Sequence, residues 1–366
     1  MTGIATLHGR AFGLLLLLWG FAGPTRAHVD YVTEEGPAGS PTELFGAVVS
    51  DPVALALLGG GGLFVAVLVA GYLRFASSLP DVEVARRTLR SYRPYLPWML
   101  RLSVGLPLVG AGFSGYLFSP SVPAEARLLQ VGLGFCLLFG LATRIVAGVG
   151  LLVYVAALAG DLTLLLASEY VAGFLAIVVV GPGQPSADIL LRRLVVTDGT
   201  VASRFRDVAT PGTLLSRLGI DAEAAAVVLR VFLGANFVYL GVAQKWLEPA
   251  RAAAVVARYD LTAVVPVSPE LWVFGAGLVE VVVGLAFLTG TFTRGAAAAG
   301  FVLLTTTLFG LPDDPVLAHV TLFGLSSALM VTGAGRFSLD ASVVPTLRRR
   351  FDPAIERGNE GRPAAD

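Results

Sequence analysis

The sequence predicts an all-α polytopic membrane protein: two tandem four-helix transmembrane bundles plus one extra N-terminal span. Three observations carry that prediction. Hydrophobic residues make up 55% of the 366 residues and charged residues only 14%, with a mean hydropathy of +0.77, far from the soluble average. Apolar runs of about 20 residues, the length a helix needs to cross hydrocarbon, recur along the chain. The segment LLQVGLGFCLLFGLATR at Leu128 to Arg144 returns as LVEVVVGLAFLTGTFTR at Leu278 to Arg294.

Residues 1–27 read as a signal peptide, with Arg10 as positive flank, Ala11 to Ala22 as apolar run and Thr25-Arg26-Ala27 at the cleavage site. An uncleaved extra span is the alternative. Cleavage exposes His28, which is either an ordinary exposed terminus or a weak copper ligand through its amine and ring. Residues 28–51 read as an exposed segment, and Pro52 to Arg74 as the first transmembrane span (52–74), outside the repeat. Repeat 1 (97–190) has spans Pro97 to Phe118, Ala126 to Ala142, Ile145 to Gly160 and Leu162 to Val180. A linker over 191–222 carries Pro, Gly and Ser and no run long enough for a core. Repeat 2 (223–342) has spans Ala224 to Gln244, Glu270 to Gly290, Gly295 to Leu311 and Val316 to Thr332, and a charged, loosely ordered tail closes the chain over 343–366.

Orientation follows from arginine. With the mature N-terminus outside the cell membrane, Arg86, Arg87, Arg90, Arg93, Arg144, Arg192, Arg193, Arg204, Arg206, Arg217, Arg294 and Arg348 to Arg350 all fall in the cytoplasm, as does the C-terminus. Arg127, Lys245, Arg251 and Arg258 alone oppose this. Each copy has an even number of spans, so the repeats run parallel. The single Cys136 excludes an intrachain disulfide, a CxxC pair and a cysteine-ligated cluster. No basic patch interleaved with aromatics points to nucleic acid, no glycine-rich or Walker loop points to nucleotides, and His319 is the one histidine in a span.

The copies match beyond the first block: WMLRLSVG at Trp98 to Gly105 lies over VVLRVFLG at Val227 to Gly234, and GPGQPSAD at Gly181 to Asp188 over GAGRFSLD at Gly333 to Asp340. A helix opening with LR and G, a Gly followed by Lys245-Trp246, a mid-span Glu280, a TR turn and the closing GAGRFSLD together resemble the DoxX/DoxD family of four-helix membrane proteins. The resemblance covers Val227 to Asp340 and, in weaker form, Trp98 to Asp188. It implies a four-helix membrane fold and association with respiratory or sulfur-redox complexes, including the small subunit of a thiosulfate:quinone oxidoreductase. Its pattern falls on Arg230, Lys245, Glu280, Arg294, the Gly333-Ala334-Gly335 turn and Asp340. The first copy keeps Arg101, Arg144 and Asp188, but has Gln130 in place of the acid and Tyr116 in place of Lys245.

A carboxylate at mid-bilayer costs roughly 2.5 kcal/mol or more and is normally held against a partner or a working cavity. Function is therefore sought around Glu280, Arg230, Lys245 and His319, as a buried charge or ligand-binding site. Arg230, Gly234, Gly241 and Lys245 share one helix face, a stripe that lets another helix approach closely. Arg230 is expected as the acid's partner, with Lys245 at the outer rim. The pair either serves a cavity or only fixes helix register. His319 reads as a proton relay, a quinone ligand or a satisfied interfacial residue. Trp246 and Trp272 read as interfacial anchors, and Pro249 to Tyr259 as an amphipathic helix on the outer surface. Arg101, Arg144, Arg294, Gly333, Gly335 and Asp340 are expected to be structural. No catalytic residue is assigned and no metal is expected beyond His28. The expected function is a non-catalytic membrane subunit of an oxidoreductase complex, with a quinone as possible cofactor and the bilayer and a redox subunit as partners. The alternatives are a small-solute or proton-coupled transporter and a membrane scaffold.

Overall fold

The computed structural model describes residues 39–75, 79–123, 127–205, 212, 215, 223–312 and 316–351. The signal segment, His28, residues 206–222 apart from 212 and 215, and the tail beyond residue 351 lie outside them. The described chain is all-α apart from one short hairpin. In order come α1 (Pro41–Ser50), α2 (Pro52–Phe75), α3 (Pro80–Ser91), α4 (Leu96–Ser114), the strands β1 (Tyr116–Leu117) and β2 (Ser119–Pro123), α5 (Arg127–Phe139), α6 (Thr143–Gly160), α7 (Glu169–Val180) and α8 (Ala187–Val196). The second half holds α9 (Glu223–Gly241), α10 (Pro249–Arg258), α11 (Leu261–Val264), α12 (Pro269–Thr289), α13 (Thr293–Gly310), α14 (Val316–Thr332), α15 (Leu339–Ser342) and α16 (Val344–Phe351).

Five helical stretches are long and apolar enough to cross a bilayer: Pro52–Phe75, Pro80–Ser114, Thr143–Gly160, Glu223–Trp246 and Pro269–Thr289. The protein is therefore an integral membrane protein. The other expected spans are also helical: α5, α7 and α14 are shorter apolar helices of 13, 12 and 17 residues, and α13 has 18 residues but is less apolar. A 3₁₀ stretch over Leu162–Ala167 takes the first part of the expected fourth span, and the hairpin follows α4, which ends at Ser114. Phe118, at φ +57° in the hairpin turn, is 3% exposed and packs edge-on against Tyr154, Tyr170 and Phe174. The turn's strain is thus held by an aromatic core contact.

The two halves do not form separate bundles. Within each half the first helix packs on the second, α4 on α5 and α9 on α12. Yet α4 packs more extensively on α14 of the other half than on α7 of its own, and α9 more on α7 than on α14. One apolar core results, in which Leu100, Leu108 and Phe174 join Leu229, Phe237, Leu325 and Leu329. The physical reason is that the first and fourth helices are apolar on two faces, and burial of both requires partners from both halves.

Inside each half the closest helix pair meets glycine to glycine. A Cβ on Gly234 would lie 2.7 Å from the Gly284 carbonyl oxygen, and one on Gly241 would lie 2.6 Å from that of Gly277. Gly105 and Gly134 make the same approach between α4 and α5. With no hydrophobic drive between helices in lipid, such backbone proximity supplies the dispersion contact that holds them.

Two peripheral readings are corrected. The segment 28–51 is not merely exposed: α1 is capped by a Ser40–Glu43 capping box and buries Leu44 and Val48 against α12 and α2. The start of the tail is not loose, because α16 folds back on α2 and buries Val344. The first span packs on the bundle only near its ends. The middle of α2, including Leu63, Phe64, Val65 and Val67, is exposed to the surrounding medium.

Gly284→Leu is expected to lower the thermal unfolding midpoint of the detergent-solubilised protein, with an overpacking cost of about 1–3 kcal/mol. Gly275→Ala, on the same helix but with nothing within 4 Å of its Cβ position, is expected to leave the midpoint unchanged or raise it. A midpoint unaffected by Gly284→Leu would show that the seam is not tight.

Candidate functional site

The last turn of the α9 helix widens into a π-turn over Val242–Trp246. Such turns re-aim side chains and recur at functional sites. Here the turn carries Lys245, whose Nζ donates to both Oε1 and Oε2 of Glu280 at 2.7 Å each. The lysine side chain is 24% exposed and the glutamate side chain 12%. The next residue closes the site: the Trp246 indole N–H donates to the Phe274 carbonyl at 3.2 Å and its ring stacks on Phe274 at 5.4 Å, while Phe45 of α1 meets both rings edge-on. Helix α10 covers this end of α12 through Ala252 and Val256, packed with Leu44 and Val273. Trp246 is thus part of a covered aromatic cluster and not only an interfacial anchor. Trp272 donates to the Val265 carbonyl at 3.1 Å.

The expected pairing of Glu280 with Arg230 is corrected. The seam is antiparallel, and the Cβ direction of Gly241 points between Gly277 and Val281, so Glu280 lies level with Gly241. By helix rise Lys245 is then about 6 Å away along the axis and Arg230 about 16 Å. Arg230 does something else. Its guanidinium donates to the carbonyls of Leu288 at 2.8 Å, Arg336 at 3.3 Å and Phe337 at 2.5 Å, stapling the C-terminal end of α12 to the loop after α14. Helix ends leave carbonyls without intrahelical partners, and in a low dielectric an arginine fork is a strong substitute.

The same device serves the other arginines. Arg294 donates to the Met330 and Val331 carbonyls at 2.8 and 3.1 Å, and Arg144 to those of Val178 and Val179 at 2.9 and 3.2 Å. Arg101 donates to the Pro185 carbonyl. Two aspartates complement them. Asp340 accepts from the backbone N–H groups of Phe292 at 2.6 Å and Thr293 at 2.8 Å, and Asp188 accepts from Ala142 and Thr143 at the same two distances. Both therefore cap helix starts from a distance, α13 and α6 respectively. Gly333 at φ +73° and Gly335 at φ +67° provide the left-handed turn that brings Asp340 back, as Gly181 and Gly183 do before Asp188. The matched aspartates and the matched arginines Arg144 and Arg294 make the same contacts, whereas Arg101 reaches one carbonyl where Arg230 reaches three.

At the position of the acid they diverge. Gln130 donates its amide to the carbonyls of Leu108 and Tyr116, each at 3.2 Å. Tyr116 is the residue aligned with Lys245, so both halves tie the same two positions together, one through an ion pair and the other through an amide hydrogen bond.

A second buried acid lies outside the expected site. Glu169 is 3% exposed and meets Asn236 Nδ2 at 3.4 Å, an amide that also donates to the Leu166 carbonyl at 3.0 Å and to Ser168 Oγ at 3.1 Å. This knot joins α7 to α9 across the two halves. An acid inside the apolar run Leu162 to Val180 and an asparagine inside Ala224 to Gln244 were the available signals. His319 is buried in the first turn of α14 with a partner of its own, and its neighbour Ala318 lines a small cavity with Glu169 and Leu166. Lys245 and Glu280 are brought together, whereas Arg230 is committed to carbonyls. Among the described residues no cluster of three or more metal-ligating side chains occurs.

Compared with known proteins, residues 225–312 match the model of the DoxX family. Neither a curated protein nor a solved structure matches the chain.

Two outcomes follow from this geometry. Lys245→Met leaves a largely buried carboxylate without its cation and is expected to destabilise the protein by about 3 kcal/mol, whereas Lys245→Met combined with Glu280→Leu recovers most of that loss; thermal unfolding of the three proteins checks this, and a double variant no better than the single one would refute it. Asp340→Ala removes the cap of α13 and is expected to cost about 1–2 kcal/mol by the same measurement.

Proposed function

We propose that the protein is an integral membrane subunit of a respiratory or sulfur-redox complex, similar to the small subunit of a thiosulfate:quinone oxidoreductase, and that Lys245 and Glu280 form the polar end of a quinone site; the match of residues 225–312 to the DoxX model in a membrane-spanning chain supports this reading. The observation that carries this reading is the two-pronged ion pair beside an aromatic wall. The donor and acceptor inventory suits a quinone. The ammonium has three hydrogens and the carboxylate takes two, so one remains for a quinone carbonyl; each carboxylate oxygen keeps capacity to accept from a quinol hydroxyl. Trp246 and Phe274 offer an apolar aromatic edge beside these groups.

A bound quinone would supply two-electron, two-proton redox chemistry. The chain's own residues bind and orient: Lys245 holds positive charge near a reducible carbonyl, Glu280 can hold or release a proton at its carboxylate, and the Gly241–Gly277 contact fixes their spacing. Electrons come from a partner subunit, since one cysteine and one span histidine cannot ligate a cluster or a two-histidine haem. On this reading the first half is a second copy of the unit that keeps the staples and replaces the ion pair by an amide. The arginine-rich end faces the cytoplasm of the cell membrane and the Lys245 end faces outward.

Purification of the full chain in mild detergent, followed by organic extraction, is expected to yield bound quinone from the wild-type protein and at least about tenfold less from Glu280→Gln and Lys245→Met, matching the loss of one charge-assisted hydrogen bond. Wild-type protein that carries neither quinone nor a redox partner would overturn the reading. So would solute flux in liposomes that Glu280→Gln abolishes, which would indicate a transporter.

A further inference from the structure

A cleft of about 1090 Å³ among the described residues lies at the other end of the bundle from Lys245. Its polar part is lined by Arg86, Arg90, Arg93 and Arg294. Its apolar part is walled by Leu68 and Val69 of α2 and by Val82 and Leu89 of α3. The charges are poorly compensated. Arg86 donates to the Tyr72 hydroxyl at 2.9 Å and meets Glu83 at 3.5 Å. Arg93 and Arg294 donate only to main-chain carbonyls, and Arg90 has no hydrogen bond or ion pair among the described residues. The acid on the cleft wall, Asp340, turns its two oxygens to the backbone N–H groups of Phe292 and Thr293. No described carboxylate lies within 4 Å of Arg90, Arg93 or Arg294. Guanidinium groups gathered around one cleft repel one another unless an anion enters, and planar guanidinium groups are the side chains best matched to phosphate oxygens.

The cleft is also held in shape. The Tyr72 ring meets Phe292 edge-on at 5.4 Å, which ties α2 to the turn before α13, and the same tyrosine is fixed by Arg86. Beyond this tie the middle of α2 is unpartnered, so acyl chains have access beside it. We propose that this cleft is a binding site for an anionic glycerophospholipid, its phosphate among Arg86, Arg90, Arg93 and Arg294 and its acyl chains along Leu68, Val82 and Leu89. The apolar wall selects a lipid over a free oxyanion, because a soluble phosphate gains nothing from it. The site shares no residue with the ion pair and does not depend on the quinone reading.

The test uses the full chain in phosphatidylcholine nanodiscs, with and without phosphatidylglycerol, read by native mass spectrometry of retained lipid and by the thermal unfolding midpoint. Wild-type protein is expected to retain phosphatidylglycerol and to unfold at a higher temperature with it. The R90Q/R93Q variant is expected to bind it about tenfold or more weakly. R87Q is the control: Arg87 sits on the same helix, paired with Glu83 at 3.0 Å and outside the cleft lining, and is expected to behave as wild type. R90Q alone removes an exposed side chain without a described hydrogen bond, so it keeps the test open should the double variant fail to fold. Three results would overturn the proposal: no preference for phosphatidylglycerol, an equal loss in R87Q, or stabilisation by inorganic phosphate in phosphatidylcholine discs as large as that by the lipid.

Discussion

The antiparallel glycine seam between α9 and α12 is the constraint from which the site follows. Where Gly234 meets Gly284 and Gly241 meets Gly277, the main chains touch, and the two contacts together fix the register of the seam. That register puts Glu280 level with Gly241 and within reach of the lysine on the π-turn. A side chain at either glycine position would meet the facing carbonyl at 2.6–2.7 Å and force the helices apart. The ion pair thus depends on the absence of side chains nearby as much as on its own two charges.

Helix ends receive a different treatment from the middle. In an apolar medium the terminal N–H and C=O groups of a short helix have neither water nor intrahelical partners. Arg101, Arg144, Arg230 and Arg294 go to carbonyls, and Asp188 and Asp340 go to N–H groups, so the charged residues compensate main chain more than they compensate each other. Apart from Arg101, which reaches the loop carbonyl of Pro185, each charge then lies against a helix terminus of the opposite sign. The arrangement also ties the loop after each fourth helix to the turn between the second and third, which closes each half at one end. Arg294 serves this duty and also faces the cleft, where Arg90, which has no such carbonyl among the described residues, joins it.

The interlocked core changes what the halves can do independently. Because α4 and α9 each pack on the fourth helix of the opposite half, neither half buries its own apolar faces alone. The Glu169–Asn236 knot sits in this shared interface, where a polar contact in low dielectric fixes which residues face each other. Helix α2 stands apart from that core, held at its ends and bare in the middle, and its separation creates the cleft wall.

Apolar run length and the spacing of arginines were enough to show an all-α membrane protein and to locate its helices, since hydrocarbon thickness and the cost of burying charge act on the chain residue by residue. The stripe of Gly234 and Gly241 and the acid at Glu280 were also legible, being local patterns on one helix. The choice between Arg230 and Lys245 was not, because it depends on the relative shift of two helices distant in sequence. The role of Glu169 is not legible for a related reason: its partner Asn236 lies in the other half of the chain, so the contact depends on how the two halves pack. The single core in place of two bundles, the folding of α1 and α16 onto the body, and the arginine-lined cleft arise from contacts between segments far apart along the chain, and so they exist only once the helices have packed.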